Sequence, residues 1–223
     1  REKHRKPMRP IGILQLVVRI LAIFDLMPTK FTYDTHGMEK IGKKEPCLIL
    51  MNHSSFIDLK MAVGILYPKP FGIVCTNDAM VGKSLLMRSL GCIPTQKYVA
   101  DMRLLRDMEY AIRKKKSSVL MYPEASYSFD GTCTPLPRKM GVLLKKLGVP
   151  VVTVITQGAF ARDPLYNMLQ IRDVKVSAHV KCLFTEEELK EKSVRELDEA
   201  LDEAFTFDNF AWQRDNKVVI DAP

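Results

Sequence analysis

Apolar residues follow two rhythms along this chain. Short β-branched and apolar runs recur at Pro46–Met51, Phe71–Thr76, Ser118–Tyr122, Val149–Ile155 and Lys175–Phe184, each beside turn or polar residues, and these predict strands. Between them the apolar spacing changes to three and four. From Ala100 to Lys116 the residues Met102, Leu105, Met108, Ala111 and Ile112 mark one helical face, and Arg113–Lys116 put positive charge where a helix C-terminus favours it. A second helical stretch runs from about Gly141 to Leu147 and stops at Gly148. Thr185 is followed three residues on by Glu188, a capping-box signature, and the charge-paired run to Phe205 predicts one surface helix. This alternation predicts an α/β fold, a single domain with a central, largely parallel sheet flanked by helices and with loops at one sheet edge free to carry a site.

The first thirty residues follow a different pattern. Arg1, Lys3, Arg5, Lys6 and Arg9 precede the apolar run Ile11–Phe24, which is fourteen residues long and too short to span a bilayer. Gln15 and Arg19 interrupt it and no small-residue cleavage pattern follows, which argues against a signal peptide. Four residues apart, they share one helix face and leave Ile13, Leu14, Leu16, Val17, Val18, Ile20, Leu21 and Ile23 as a broad apolar surface. An amphipathic helix with a basic flank suits a membrane surface, although packing against the domain core produces the same pattern. The expected division is therefore a membrane-associating segment, 1–30, and a domain, 31–223.

Composition narrows the picture only slightly. A chain of 223 residues with 47% hydrophobic content can bury one sizeable core. Thirty-four Lys and Arg against 26 Asp and Glu, a net charge of +8, favour an anionic partner such as phospholipid headgroups or phosphorylated compounds. Nucleic acid is not expected, because the run Arg113–Lys116 is explained by its place at a helix end and no nucleic-acid fold signature appears. Cys47, Cys75, Cys92, Cys133 and Cys182 lack any CxxC or Cys/His ligand spacing, so they predict reduced thiols of a cytosol-facing protein and no metal. The chain opens at Arg1, compatible with its being a piece of a longer polypeptide.

The candidate chemistry lies just after the strand CLILM. In the run from Asn52 to Asp58, His53 emerges at a strand end, Ser54 or Ser55 caps a helix, and Asp58 falls in its first turn. Helical side chains lean toward the N-terminus, so the Asp58 carboxylate reaches one imidazole nitrogen and leaves the other for a substrate hydroxyl, an acid-oriented general base. Taken alone, a His five residues before an Asp is also a common structural pair.

Three further blocks follow: Gly91-Cys92-Ile93-Pro94-Thr95-Gln96-Lys97, then Met121-Tyr122-Pro123-Glu124-Ala125-Ser126-Tyr127-Ser128, then Gly148-Val149-Pro150-Val151-Val152. In order and spacing the four blocks resemble the 1-acylglycerol-3-phosphate acyltransferase family, with its NHxxxxD loop, G-x-I-P block, FPEGTRS-like block and VPVVPV-like strand. The resemblance covers about Cys47 to Ile155, roughly half of the chain. It implies His53 and Asp58 as the catalytic dyad, Lys97 as a phosphate ligand, and Glu124, Ser126 and Tyr127 in the substrate site. The third block departs from the family pattern at Tyr122, Ala125, Ser126 and Tyr127, the last standing where an Arg is usual. A phosphate there loses a bidentate partner worth about 1.5–3 kcal/mol, for which Arg138 or Lys139 downstream would have to compensate.

The resemblance further implies acyl transfer from acyl-CoA or acyl carrier protein to a lysophospholipid, in phospholipid biosynthesis or remodelling, by a peripheral or monotopic protein on the cytoplasmic face of an anionic membrane. No cofactor is needed, since a thioester is already activated. Two alternatives stay open at this level: a cysteine nucleophile, for which Cys133 is the candidate although nothing in the sequence activates it, and a catalytically weak lipid-binding module on the same fold.

Overall fold

The computed structural model describes residues 4–96, 102–165 and 170–218. Among these, seven strands form one sheet: β1 (Thr32–His36), β2 (Leu48–Met51), β3 (Phe71–Thr76), β4 (Ile93–Thr95), β5 (Ser118–Met121), β6 (Val151–Gln157) and β7 (Ser177–Phe184). Their spatial order is β1-β7-β6-β2-β5-β3-β4. Neighbours run parallel except β6 and β7, which are antiparallel. The helices are α1 (Gly12–Leu26), α2 (Ile57–Leu66), α3 (Ser84–Ser89), α4 (Met102–Arg113), α5 (Met140–Leu147), α6 (Ala159–Arg162), α7 (Glu186–Glu191), α8 (Val194–Phe205) and α9 (Asn209–Asp215).

The central strand β2 shows why the sheet is covered on both sides. All four of its residues are buried. Successive side chains point to opposite faces, so Ile49 and Met51 join α1 and α2 in one core layer while Leu48 and Leu50 join α4, α5 and α8 in the other. Continuous apolar runs of this kind belong to parallel sheets sandwiched between helices.

The five expected strands are present with slightly shifted ends. β1 and β4 were not expected, and both lie at sheet edges. Every residue of β1 is exposed, so it carries no apolar alternation to read, and β4 is only three residues long. The long C-terminal helix is in fact two helices. Lys192 adopts an extended conformation that ends α7, and Ser193 opens α8 with its own capping box to Glu196, just as Thr185 and Glu188 open α7. The second S-x-x-E signature stood in the sequence inside what looked like one charged run.

From His4 onward, the N-terminal segment packs along the domain. His4 Nε2 meets the buried Asp107 at 3.2 Å, the Lys6 ammonium lies 5.0 Å from the Tyr110 ring centre, and Arg88 donates to the carbonyls of Arg5 and Lys6 at 3.2 and 2.7 Å. Gly91 of the second block adopts a positive φ of 86°, and a Cβ there would come within 2.6 Å of the Pro10 ring. That position therefore demands glycine.

Helix α1 wears its polarity inward. Gln15 donates its side-chain N–H to the Phe71 carbonyl at 3.2 Å, and the Arg19 guanidinium stacks on the Tyr67 ring at 4.2 Å. Val18, expected on the apolar surface, turns inward with them, and Ala22 and Leu26 are buried beside it. Ile13, Leu16, Val17, Ile20, Leu21, Ile23 and Phe24 face outward, Ile13 at 70% and Phe24 at 66% exposure. An Asp25–Lys60 ion pair of 2.9 Å fastens α1 to α2.

Candidate active site

Parallel strands β5, β2 and β6 lie side by side, so the loops leaving their C-terminal ends gather at one sheet edge. This is where open α/β sheets place ligands. The β2 loop carries Asn52 to Phe56, the β5 loop carries Tyr122 to Ser128, and the segment after β6 carries α6 and Asp163.

His53 and Asp58 meet as the spacing predicted. His53 Nδ1 lies 3.0 Å from Asp58 Oδ2, and the same oxygen accepts from the backbone N–H groups of Ser54 at 2.7 Å and Ser55 at 2.9 Å. Asp58 thus satisfies free amides at the start of its own helix while orienting the imidazole. Burial pushes the Asp58 carboxyl above its ordinary range, while the His53 hydrogen bond and charge and the Ser55 and Ser54 amides pull the other way. With Nδ1 engaged, Nε2 is the nitrogen left to take a proton.

The loop around the dyad is anchored from both ends by β6 and its extension. Asn52 Nδ2 donates to the Thr156 carbonyl at 3.0 Å, while Asn52 Oδ1 accepts from the Thr156 backbone at 2.8 Å and from its hydroxyl at 3.1 Å. At the other end, Asp163 Oδ2 accepts from the Ser55 hydroxyl at 2.7 Å and from the Ile57 backbone at 2.9 Å. Phe56 offers helix α2 no capping side chain, and the Ile57 N–H is shared between the local Ser55 hydroxyl, at 3.1 Å, and Asp163 from more than a hundred residues downstream. Sequence reading missed Thr156 and Asp163. Thr156 borders the fourth block, but nothing around Asp163 signals a role.

The third block joins the first through Glu124. Its Oε1 accepts from the His53 backbone at 3.3 Å, and its Oε2 accepts from the Thr134 backbone at 2.7 Å and the Thr134 hydroxyl at 3.2 Å. Both oxygens are thus used to hold loops together. The Ser128 N–H donates to the His53 carbonyl at 2.8 Å, adding a second strut. Ala125 sits at φ 55°, the left-handed region, which explains why the family pattern has Gly there. Ser126 donates to the Glu124 carbonyl at 3.4 Å.

The two tyrosines of this block enclose the imidazole. The Tyr122 ring lies 3.7 Å from the His53 ring at 13°, and the Tyr127 ring lies 3.8 Å away on a 33° tilt. Phe56 meets Tyr127 edge-on at 5.7 Å. Arg138 sits exposed on the loop leading into α5 and takes part in none of these contacts. Lys97 lies outside the described residues. Burial, with the Glu124 charge adding, pushes the Cys133 thiol up to about 12, which leaves it without thiolate character for a nucleophilic role.

Alongside α2, an apolar cavity of about 300 Å³ runs between α1, β3 and α3, lined by Val18, Leu59, Val63, Tyr67, Ile73 and Met87 among others. Leu59 and Val63 belong to the helix whose first turn bears Asp58, so the cavity and the dyad share one support. Leu90 also lines the cavity, whereas Met61, on the same helix as Leu59 and Val63, is fully buried core.

A mixed sheet with a His–Asp pair at the C-terminal edge of its parallel strands, beside an apolar cavity, is the arrangement expected of an acyltransferase. The Acyltransferase family model matches residues 32–157, more than half of the chain, and the chain belongs to that family. It is 27% identical over 173 residues to the chloroplastic 1-acyl-sn-glycerol-3-phosphate acyltransferase BAT2 of Brassica napus, covering 73% of this chain and 48% of that protein. It is 22% identical over 126 residues to the human 1-acyl-sn-glycerol-3-phosphate acyltransferase beta, covering 55% of this chain and 45% of that protein. The chain therefore spans about half the length of the curated relatives it matches. Its fold matches the crystal structure of the 1-acyl-sn-glycerophosphate acyltransferase PlsC from Thermotoga maritima with a TM-score of 0.69 at 18% identity, over 90% of this chain and 80% of that one.

Proposed function

We propose that this chain transfers a fatty acyl group from a thioester, acyl-CoA or acyl-acyl carrier protein, to a hydroxyl of a lysophospholipid, with 1-acylglycerol-3-phosphate the first acceptor to test. The observation that carries the reading is the 3.0 Å His53 Nδ1–Asp58 Oδ2 pair at the start of α2. It engages Nδ1 and leaves Nε2 as the nitrogen available to act as a general base.

In this mechanism His53 Nε2 takes the acceptor hydroxyl proton as the oxygen attacks the thioester carbonyl. A C–O bond forms, the C–S bond breaks, and the same proton passes from His53 to the departing thiolate. Asp58 holds the tautomer and supports the transient imidazolium. Asn52, Glu124 and Asp163 hold the loop that carries the dyad, and the cavity beside α2 receives the acyl chain. Lys97 and Arg138 are the cations proposed to meet an acceptor phosphate.

The outward apolar face of α1 supports membrane attachment, which we place by proposal at the cytoplasmic face. With the turn that follows, residues 12–29 form a stretch long and apolar enough to cross a bilayer. The helix proper has 15 residues, a rise of about 22 Å against a hydrocarbon core of about 30 Å. It also packs along α2 through Ala22 and Leu26. These features favour a monotopic helix embedded in one leaflet.

The test is a mass-spectrometric product assay with both donor classes against lysophosphatidate, other lysophospholipids and neutral acylglycerols, with intact-protein mass read during turnover. Acylated product without an acyl-enzyme is expected. A trapped acyl-enzyme would overturn the mechanism. Absence of product with every acceptor, from folded protein that still binds vesicles, would leave a lipid-binding module instead.

A further inference from the structure

The imidazole of His53 is held between two aromatic faces. Tyr122 stacks nearly parallel at 3.7 Å on one side and Tyr127 lies at 3.8 Å on the other. The Tyr122 hydroxyl is buried without a hydrogen-bond partner, so it is the ring of Tyr122 that serves the site. Phe56, 64% exposed, braces the outer face of the stack by meeting Tyr127 edge-on at 5.7 Å and 69°. The His53 side chain retains only 15% of its exposure, and the carboxylate it meets has none.

That burial creates a problem for the chemistry. When His53 takes a proton it becomes a cation in a site shielded from water, and desolvation penalises the charged form. Asp58 compensates along the Nδ1 edge, in the plane of the ring. The two ring faces are where a planar cation is otherwise least supported, and they are covered by the negative faces of two aromatic quadrupoles. Both lie well inside the roughly 6 Å within which such a face attracts a cation.

Resting on the acyl-transfer reading, we propose that Tyr122 and Tyr127 form an aromatic clamp that stabilises the His53 imidazolium during proton transfer, both acting through the His53 ring as positioning residues. The neutral imidazole gains little from the quadrupoles and the imidazolium gains much, so the clamp favours the transition state over the resting enzyme. It also leaves the ring edge bearing Nε2 as the approach for a hydroxyl. One face of Tyr127 is then unavailable as a stacking platform for a substrate, since the reacting base occupies it.

The test replaces residue 127 by phenylalanine and then by mono-, di- and trifluorophenylalanine, a series that drains the ring's negative face while nearly keeping its shape. Relative to Tyr127→Phe, kcat should fall stepwise, about three- to thirty-fold by the last member, with KM for both substrates moving less than twofold. In the free protein, the NMR titration of the His53 imidazole should move stepwise to lower pH. A flat titration across folded variants would overturn the clamp whatever the enzyme assay shows. A stepwise titration in a protein without His53-dependent transfer would uphold the clamp and sink the acyl-transfer reading. The series acts on the half-buried Tyr127, so the result does not hinge on repacking the interior around Tyr122.

Discussion

Helices α1 and α8 cover opposite faces of the same sheet and solve the covering problem in opposite ways. α8 buries Leu197, Leu201 and Phe205 against the core and shows solvent a charged face that includes the Arg195–Glu199 pair at 2.7 Å. α1 turns Gln15 and Arg19 onto the domain and presents Ile13, Leu21 and Phe24 outward. An apolar stripe of this size costs free energy in water and gains it in lipid. The contrast teaches that one sheet face is covered by a helix with a charged outer surface and the other by a helix with an apolar one, the surface that the proposed membrane attachment would use. It also shows that amphipathic spacing alone does not say which side of a helix faces in.

The contrast can be broken most forcefully from the α8 side. Leu201→Ala removes a fully buried side chain and should cost about 2–5 kcal/mol in urea unfolding, whereas Leu21→Ala on α1 should cost under about 0.5 kcal/mol. Equal losses would erase the distinction. On the α1 side, Leu21→Glu combined with Phe24→Glu should weaken co-sedimentation with anionic vesicles by tenfold or more, given about 1.5–3 kcal/mol per large apolar side chain buried. Unchanged co-sedimentation would show that α1 is not the docking face.

The two layers also differ in how their helices begin. α8 is capped locally by Ser193, whereas the start of α2 combines the local Ser55 hydroxyl with the distant Asp163. Asp163→Ala strips the acceptor from the Ser55 hydroxyl and one of two acceptors from the Ile57 amide and should cost about 1–3 kcal/mol, with transfer falling more than stability alone explains. Activity equal to wild type would separate this tie from the dyad. Ser193→Ala should cost about 0.5–2 kcal/mol with no change in transfer.

The smallest effect concerns pH. The Thr185 backbone amide holds the Glu188 carboxyl below its ordinary value. A carboxyl lowered in the folded state contributes stability above its unfolded value and loses it as pH falls through the folded value. The stability gap between wild type and Glu188→Gln should therefore be full above about pH 5, where the unfolded carboxyl is ionised, and shrink as pH falls below the ordinary carboxylate value toward the lowered folded one. A gap independent of pH would contradict the capping role.

Much of this design could be read along the chain. The buried runs of β2, β5 and β6 are continuous apolar stretches flanked by turns, and the spacing of His53 and Asp58 forces their meeting once a helix starts at Ile57. β1 was invisible because none of its side chains is buried, and its place in the sheet comes wholly from backbone pairing with β7. The break between α7 and α8 was hidden because a second cap inside a charged run looks like one more solvated polar residue. Asp163 and Thr156 act through bonds spanning more than a hundred residues, which no local pattern records. The orientation of α1 was equally hidden, since Gln15 and Arg19 find their partners on β3 and just beyond α2.

The central claim is that His53, oriented by Asp58, carries the proton in acyl transfer. Its most direct test is the transfer rate from a long-chain acyl thioester to lysophosphatidate in wild type and in His53→Ala, with thermal unfolding confirming that both are folded. The account predicts a loss of about a hundred- to ten-thousand-fold, the range of a positioned general base. A folded His53→Ala protein that keeps its rate within a few-fold of wild type would contradict it.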